Sequence, residues 1–239
     1  MKSFICLFFS LLIWNNFADS HMVIRYTETE PEKPTYRGPK SILIIGDSQS
    51  AIVNKSGQSI VWTWPNILQR NLQICGVKVD VVALGGKTSH WMLQEGQKKL
   101  ATGHWDRVII YGGGNDASNM SIPLETTISN FQKLIDLAKA DSSEVWVNLG
   151  WKIEGKFMDI NILPVGRPAN LLKKRSDWAP YIQKRKDLQT MLKEKLVGCQ
   201  FIEPYDLQSK TSDGIHPTAE GHKMVAGFIL QTIDTTGCQ

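Results

Sequence analysis

Residues 41–50 read SILIIGDSQS. Ser41 opens a run of four aliphatic residues, Ile42 to Ile45, and Gly46 closes it. A short, unbroken apolar run ended by glycine suits a strand buried on both faces rather than one with a wet side. Working outward, runs of the same kind recur at 77–84, at 107–111 (RVIIY, followed by three glycines), at 144–148 (EVWVN) and, more briefly, at 200–202. Between them lie segments with helical periodicity. In 61–74, Trp64, Leu68 and Leu72 are spaced by four; in 123–140, Leu124, Ile128, Phe131, Ile135 and Ala138 follow steps of four and three. Residues 89–101, 178–196 (a charged amphipathic stretch) and 218–232 complete the predicted helices. Strands of this type alternating with amphipathic helices imply an α/β chain with a parallel sheet covered on both faces. Right-handed crossovers restrict it to a few doubly wound orders, in which function gathers at the carboxyl ends of the strands.

The chain has 239 residues, 42% hydrophobic and 21% charged, with a net charge of +4. That is globular composition, and it excludes disorder and fibrous repeats. The charge is too small and too dispersed for nucleic-acid binding. Residues 1–20 (MKSFICLFFSLLIWNNFADS) carry Lys2, an apolar run over 4–14, and small residues Ala18 and Ser20 before a cleavage point, the pattern of a secretory signal peptide. As a helix that apolar run would rise only about 16 Å, against ~30 Å for a hydrocarbon core. A secreted or periplasmic protein is expected, with no membrane span once the signal is removed. Residues 21–40 read as a proline-bearing linker and 41–239 as one α/β domain. Cys75, Cys199 and Cys238 remain after cleavage, so one internal pair and one free thiol are expected; Cys238 can pair with either of the others. No cysteine or histidine spacing suggests a metal site, and no cofactor is expected.

Four strand exits deserve separate reading: Gly46-Asp47-Ser48, Gly85-Gly86-Lys87-Thr88, Gly113-Gly114-Asn115-Asp116 and Asp213-Gly214-Ile215-His216-Pro217. Singly, each is an ordinary turn composition. Together they bring a serine, glycine N–H groups, an amide, a carboxylate and a histidine to one rim. Acyl transfer needs that set. Ser48 is a weak nucleophile until a base takes its proton, and His216 can take it. Asp213, three residues earlier, can fix the imidazole tautomer. The N–H groups of Ser48 and Gly86 and the Asn115 amide can hold a tetrahedral oxyanion. Asp47 and Asp116 read as bracing residues of their turns.

These blocks resemble those of the SGNH hydrolases, also called GDSL esterases and lipases. GDS lies at the end of the first strand, a glycine stands in a G-x-T/S context (GKT), GxND is matched by Gly113 to Asp116, and DxxHP by Asp213 to Pro217. The order is right, and the blocks span nearly all of 41–230. Gln49 stands where leucine is usual. The resemblance implies a flavodoxin-like, three-layer α/β/α sandwich with a doubly wound parallel sheet. It implies Ser48, Gly86, Asn115 and His216 as the name-giving residues, with Asp213 completing the triad. Gly85 is the rival to Gly86, which is preferred because it directly precedes Lys87-Thr88.

The expected function is an exported serine esterase hydrolysing a carboxylic ester, with O-acetyl groups of a cell-wall or envelope carbohydrate as the favoured substrate. An O-acyltransferase would use the same residues. A carbohydrate-binding module on a decayed esterase fold would have lost part of the triad. Residues 149–177 have little periodicity and leave the 144–148 strand on the active rim. Two readings stand: a mobile surface insertion with a solvated basic face, or a wall in which Trp151 stacks a sugar ring and Arg167, Lys173, Lys174 and Arg175 attract an anionic polymer.

Overall fold

The computed structural model describes residues 35–53, 57–152, 179–207, 210–211 and 216–238. The expected signal peptide, most of the linker, the basic residues expected in the wall, and Asp213 lie outside these. The elements run β1 (Ser41–Gly46), α1 (Trp64–Gln73), β2 (Lys78–Ala83), α2 (Ser89–Leu100), β3 (Arg107–Tyr111), α3 (Gly114–Ser118), α4 (Leu124–Ala140), β4 (Glu144–Asn148), α5 (Ala179–Lys195), β5 (Gln200–Ile202) and α6 (Ala219–Leu230). The sequence periodicity missed α3, one short turn of helix after the three glycines.

All five strands are parallel, in the order β2-β1-β3-β4-β5. This is the doubly wound, flavodoxin-like arrangement. The chain reverses its direction of progress across the sheet beside β1, so the crevice at that switch point is where such folds bind ligands. Register makes the rim level: Gly46 sits opposite Ala83 of β2 and Tyr111 of β3. The three loops that leave these strands therefore start at the same height.

The residues of β1 alternate between two cores. Ile42 and Ile44 face α1 and α6, packing with Trp64, Leu68, Leu72, Val225 and Ile229. Leu43 and Ile45 face α2, α4 and α5, with Met92, Phe131, Leu134 and Leu188. All four β1 side chains are fully buried, as the unbroken apolar run requires. The buried positions of α4 include Ile128, Phe131, Ile135 and Ala138, the stripe read from spacing.

The amino edge of the sheet is tied by charge and by a disulfide. Arg107 donates from Nε and Nη2 to Glu144 Oε2 at 2.8 and 2.6 Å, and from Nη1 to the Thr232 carbonyl at 2.9 Å. Asp106 accepts the Lys40 and Ser41 N–H groups, each at 2.8 Å. Cys75, just past α1, is bonded to Cys238, beyond α6, which resolves the open pairing; among the described residues Cys199 is the free thiol. Both ends of the described domain, residues 35–40 and 232–238, thus sit at the edge opposite the rim. Among the described residues no helix is long and apolar enough to cross a membrane.

Candidate active site

Ser48 follows β1 on a turn built by Asp47. The Asp47 carboxylate accepts the Gln49 N–H at 3.0 Å, and its carbonyl accepts the Ser50 N–H at 3.1 Å. Trp64 pins the far side of the turn, its indole N–H donating to the Gln49 carbonyl at 2.9 Å. On this support Ser48 Oγ lies 3.0 Å from His216 Nε2, across 168 residues of sequence. Thr218 begins α6 directly after the His216-Pro217 segment, its hydroxyl accepting the Gly221 N–H at 3.2 Å. That side-chain cap sets where the helix starts and hence where the histidine stands. Asp213, the expected orienting carboxylate, lies outside the described residues.

The two other rim loops are joined to each other and to the Ser48 turn. Asn115 Nδ2 donates to the Lys87 carbonyl at 2.9 Å and reaches Asp47 Oδ2 at 3.4 Å. Asp116 is buried. It accepts the Ser89 N–H (2.9 Å), the Ser89 hydroxyl (2.5 Å) and the Thr127 hydroxyl (3.1 Å). It thereby caps the first turn of α2, whose own N-cap residue makes no side-chain bond. Gly85 faces the serine: a Cβ there would sit 3.8 Å from Ser48 Cβ. Gly86 is exposed and has φ +77°, a left-handed conformation that favours glycine.

Asp47 is buried, and burial pushes its carboxyl up to about 6. The Gln49 N–H, the Arg185 guanidinium and His216 act against that rise, while Asp116 adds to it. His222, on α6, is held down at about 4 by burial and by His216, and its Nδ1 accepts the Trp64 N–H at 3.2 Å. It is a neutral imidazole that serves as acceptor for the start of α1. Among the described residues no group of three or more His, Cys, Asp or Glu side chains gathers as metal ligands.

Trp151 does not present the open face expected of a sugar platform. It is 5% exposed, and the Arg185 guanidinium lies 5.3 Å over its ring. The cause is backbone pairing: Trp151 forms a parallel bridge with Tyr205, so the sheet continues past β4 and turns the indole into the core. Of the described tryptophans, Trp62 is the exposed one, at 46%, with its ring 5.7 Å from that of His222.

Two cations on α5 escaped the sequence reading, which took 178–196 as a charged amphipathic helix without singling out any of its residues. Lys184 Nζ donates to the carbonyls of Asp116 (3.3 Å), Asn119 (2.8 Å) and Ile122 (2.7 Å), closing the loop after α3. Arg185 is buried with Leu188 and Leu192. A signal was available: positions 185, 188 and 192 form a stripe at steps of three and four, and a charge on such a stripe is forced inward.

The chain matches the model of the GDSL-like lipase/acylhydrolase family over residues 44–224. A search of curated proteins returned no match. Among solved structures it is similar to the psychrotrophic esterase EstA from Pseudoalteromonas sp. (17% identity, TM-score 0.56, covering 80% of this chain and 95% of that one). It is similar to a member of the lipolytic protein G-D-S-L family from Veillonella parvula (16%, 0.58, 80% and 96%) and to the acetyl xylan esterase AlAXEase (15%, 0.55, 80% and 98%). At these identities the likeness to solved structures is one of fold.

Proposed function

The chain belongs to the GDSL-like lipase/acylhydrolase family and is an ester-bond hydrolase; from that premise we propose that it is an exported serine esterase that cleaves carboxylic esters through an acyl-enzyme on Ser48. The carrying observation is the 3.0 Å contact between Ser48 Oγ and His216 Nε2 at the switch point of the sheet. In the proposed cycle His216 takes the Ser48 proton as Oγ attacks the carbonyl carbon. The Ser48 and Gly86 N–H groups and the Asn115 amide hold the oxyanion, with Asp213 fixing the imidazole. Collapse expels the alcohol, which receives the proton from His216. A water, deprotonated in turn by His216, then releases the acid and restores Ser48.

Export is proposed on residues 1–20 and is supported by the Cys75–Cys238 disulfide, which persists in oxidising compartments. For substrate we favour an O-acetyl group on an envelope or cell-wall carbohydrate. One fold neighbour is an acetyl xylan esterase, and Trp62 offers an open aromatic face near His222. The test is Ser48→Ala assayed with p-nitrophenyl acetate and acetylated xylan. The rate on both should fall by several orders of magnitude with the fold intact, as when a nucleophile is removed. A variant that retains the wild-type rate rejects the mechanism.

A further inference from the structure

We propose that Arg185 is a positioning residue for hydrolysis: buried beneath the rim, it faces Asp47 past the bare Cα of Gly114 and keeps that carboxylate charged, so that Asp47 holds the Ser48 turn against Asn115. The inference rests on Ser48 and His216 acting as described above.

The geometry begins at the three glycines after β3. A Cβ on Gly114 would lie 3.1 Å from Arg185 Nη1 and 3.8 Å from Asp47 Oδ2. A Cβ on Gly112 would lie 3.4 Å from the same Asp47 oxygen. These two bare positions keep side-chain atoms out of the space between guanidinium and carboxylate. The guanidinium is lodged there by the Trp151 ring on one side and by Tyr181, whose hydroxyl accepts from Nη1 at 3.3 Å. A buried cation so placed needs an anion near it. The described residues supply Asp47, the residue directly before Ser48.

Asp47 spends both oxygens on the site. One accepts the Gln49 N–H behind Ser48, and the other faces Asn115 Nδ2. Protonation would turn one acceptor into a donor and remove a negative charge that favours the imidazolium formed on His216 during attack. The titratable groups that bear on Asp47 are Arg185 from α5, His216 from the segment before α6, Asp116 from α3 and Tyr111 from β3. Of these, Arg185 is the cation whose charge does not change during turnover. Its loss should raise the Asp47 pKa by about one to two units. From the present value of about 6, that lowers the ionised fraction at pH 7 by about 2- to 10-fold.

The experiment measures pH profiles of kcat and KM with p-nitrophenyl acetate for wild type, Arg185→Gln, Arg185→Lys and Asp47→Asn, and for both Arg185 changes made in the Asp47→Asn background. Circular dichroism and melting report folding, and Ser48→Ala is the control. Arg185→Gln should move the acid limb of kcat up by about one pH unit or more and lower kcat at pH 7 by about 2- to 10-fold, with KM near wild type. Arg185→Lys should restore the limb. In the Asp47→Asn background, Arg, Lys and Gln at 185 should give the same profile. A limb that stays put in folded Arg185→Gln overturns the inference. So does a shift that persists in the Asp47→Asn background, because Arg185 would then act on His216 directly. If Arg185→Gln does not fold, Arg185→Met, which removes the charge but keeps a long apolar stem, takes its place in the same cycle, with the same outcomes deciding. An active Ser48→Ala variant would instead reject the mechanism on which the inference rests.

Discussion

Reducing the Cys75–Cys238 bond should lower the melting temperature by about 10 °C and leave turnover at 25 °C unchanged. The bond joins residues 163 positions apart. In the chain-entropy picture a closed loop of that length restricts the unfolded chain by about 5 kcal/mol, and native bridges deliver roughly 2–5 kcal/mol. About 3 kcal/mol, at 2–4 °C per kcal/mol for a domain of this size, gives the stated fall. Turnover should be spared because the bond clamps the end of α1 to the tail beyond α6, at the edge of the sheet away from Ser48. The assay compares thermal melts of oxidised protein, protein reduced with a phosphine, and a Cys75→Ser/Cys238→Ser variant, each beside p-nitrophenyl acetate turnover at 25 °C. Cys199 provides an internal check. Burial pushes its thiol up to about 11, so in a Cys6→Ser background the oxidised protein should show one slow thiol, with two more appearing on reduction. Melts that coincide within 2 °C, or turnover lost well below the melt of the reduced protein, would refute this reasoning.

Asn115→Ala should lower kcat by about 10²–10³ with KM little changed, since its amide acts on charge that develops only in the transition state; a raised KM with kcat intact would make it a substrate contact instead. Two buried groups give stability opposite pH dependences. His222 titrates at about 4 when folded against 6.5 unfolded, so the unfolded chain takes up its proton first and stability falls as pH drops from 6.5 to 4. Asp47, at about 6 folded against 3.8 unfolded, is protonated first in the folded chain, and stability rises as pH drops from 6 to 3.8. The two offset each other in wild type, so Asp47→Asn should expose the His222 loss, about 3 kcal/mol between pH 6.5 and 4 by urea denaturation; a variant whose midpoints track wild type would contradict it. Trp62→Ala should reduce kcat/KM on acetylated xylan far more than on p-nitrophenyl acetate, and equal losses on both would remove Trp62 from substrate binding.

The sheet was legible because its strands are buried on both faces. SILII and RVIIY have no wet side, so no alternation complicates them, and α4 carries its stripe in plain spacing. That Ser48 and His216 would meet was legible because each sits in a short block whose neighbours explain one another. Trp151 was misread for a physical reason. An aromatic residue after a strand exit reads as part of an open wall, but the bridge to Tyr205 prolongs the sheet by one step and turns the ring inward. Arg185 was overlooked because reading 178–196 as a charged amphipathic helix does not say which of its charges lies on the buried face. Only the three-four spacing with Leu188 and Leu192 sets it apart, and its partner Asp47 lies 138 positions away in a different element.

Residues 35–40 and the tail ending at Cys238 leave the domain from one side, with the Arg107–Thr232 bond and the disulfide between them. A bead attached to the carboxyl-terminal tail will hold the domain from the edge opposite Ser48, with the rim turned outward. Immobilisation through the carboxyl-terminal tail should therefore leave the catalytic mouth facing solution.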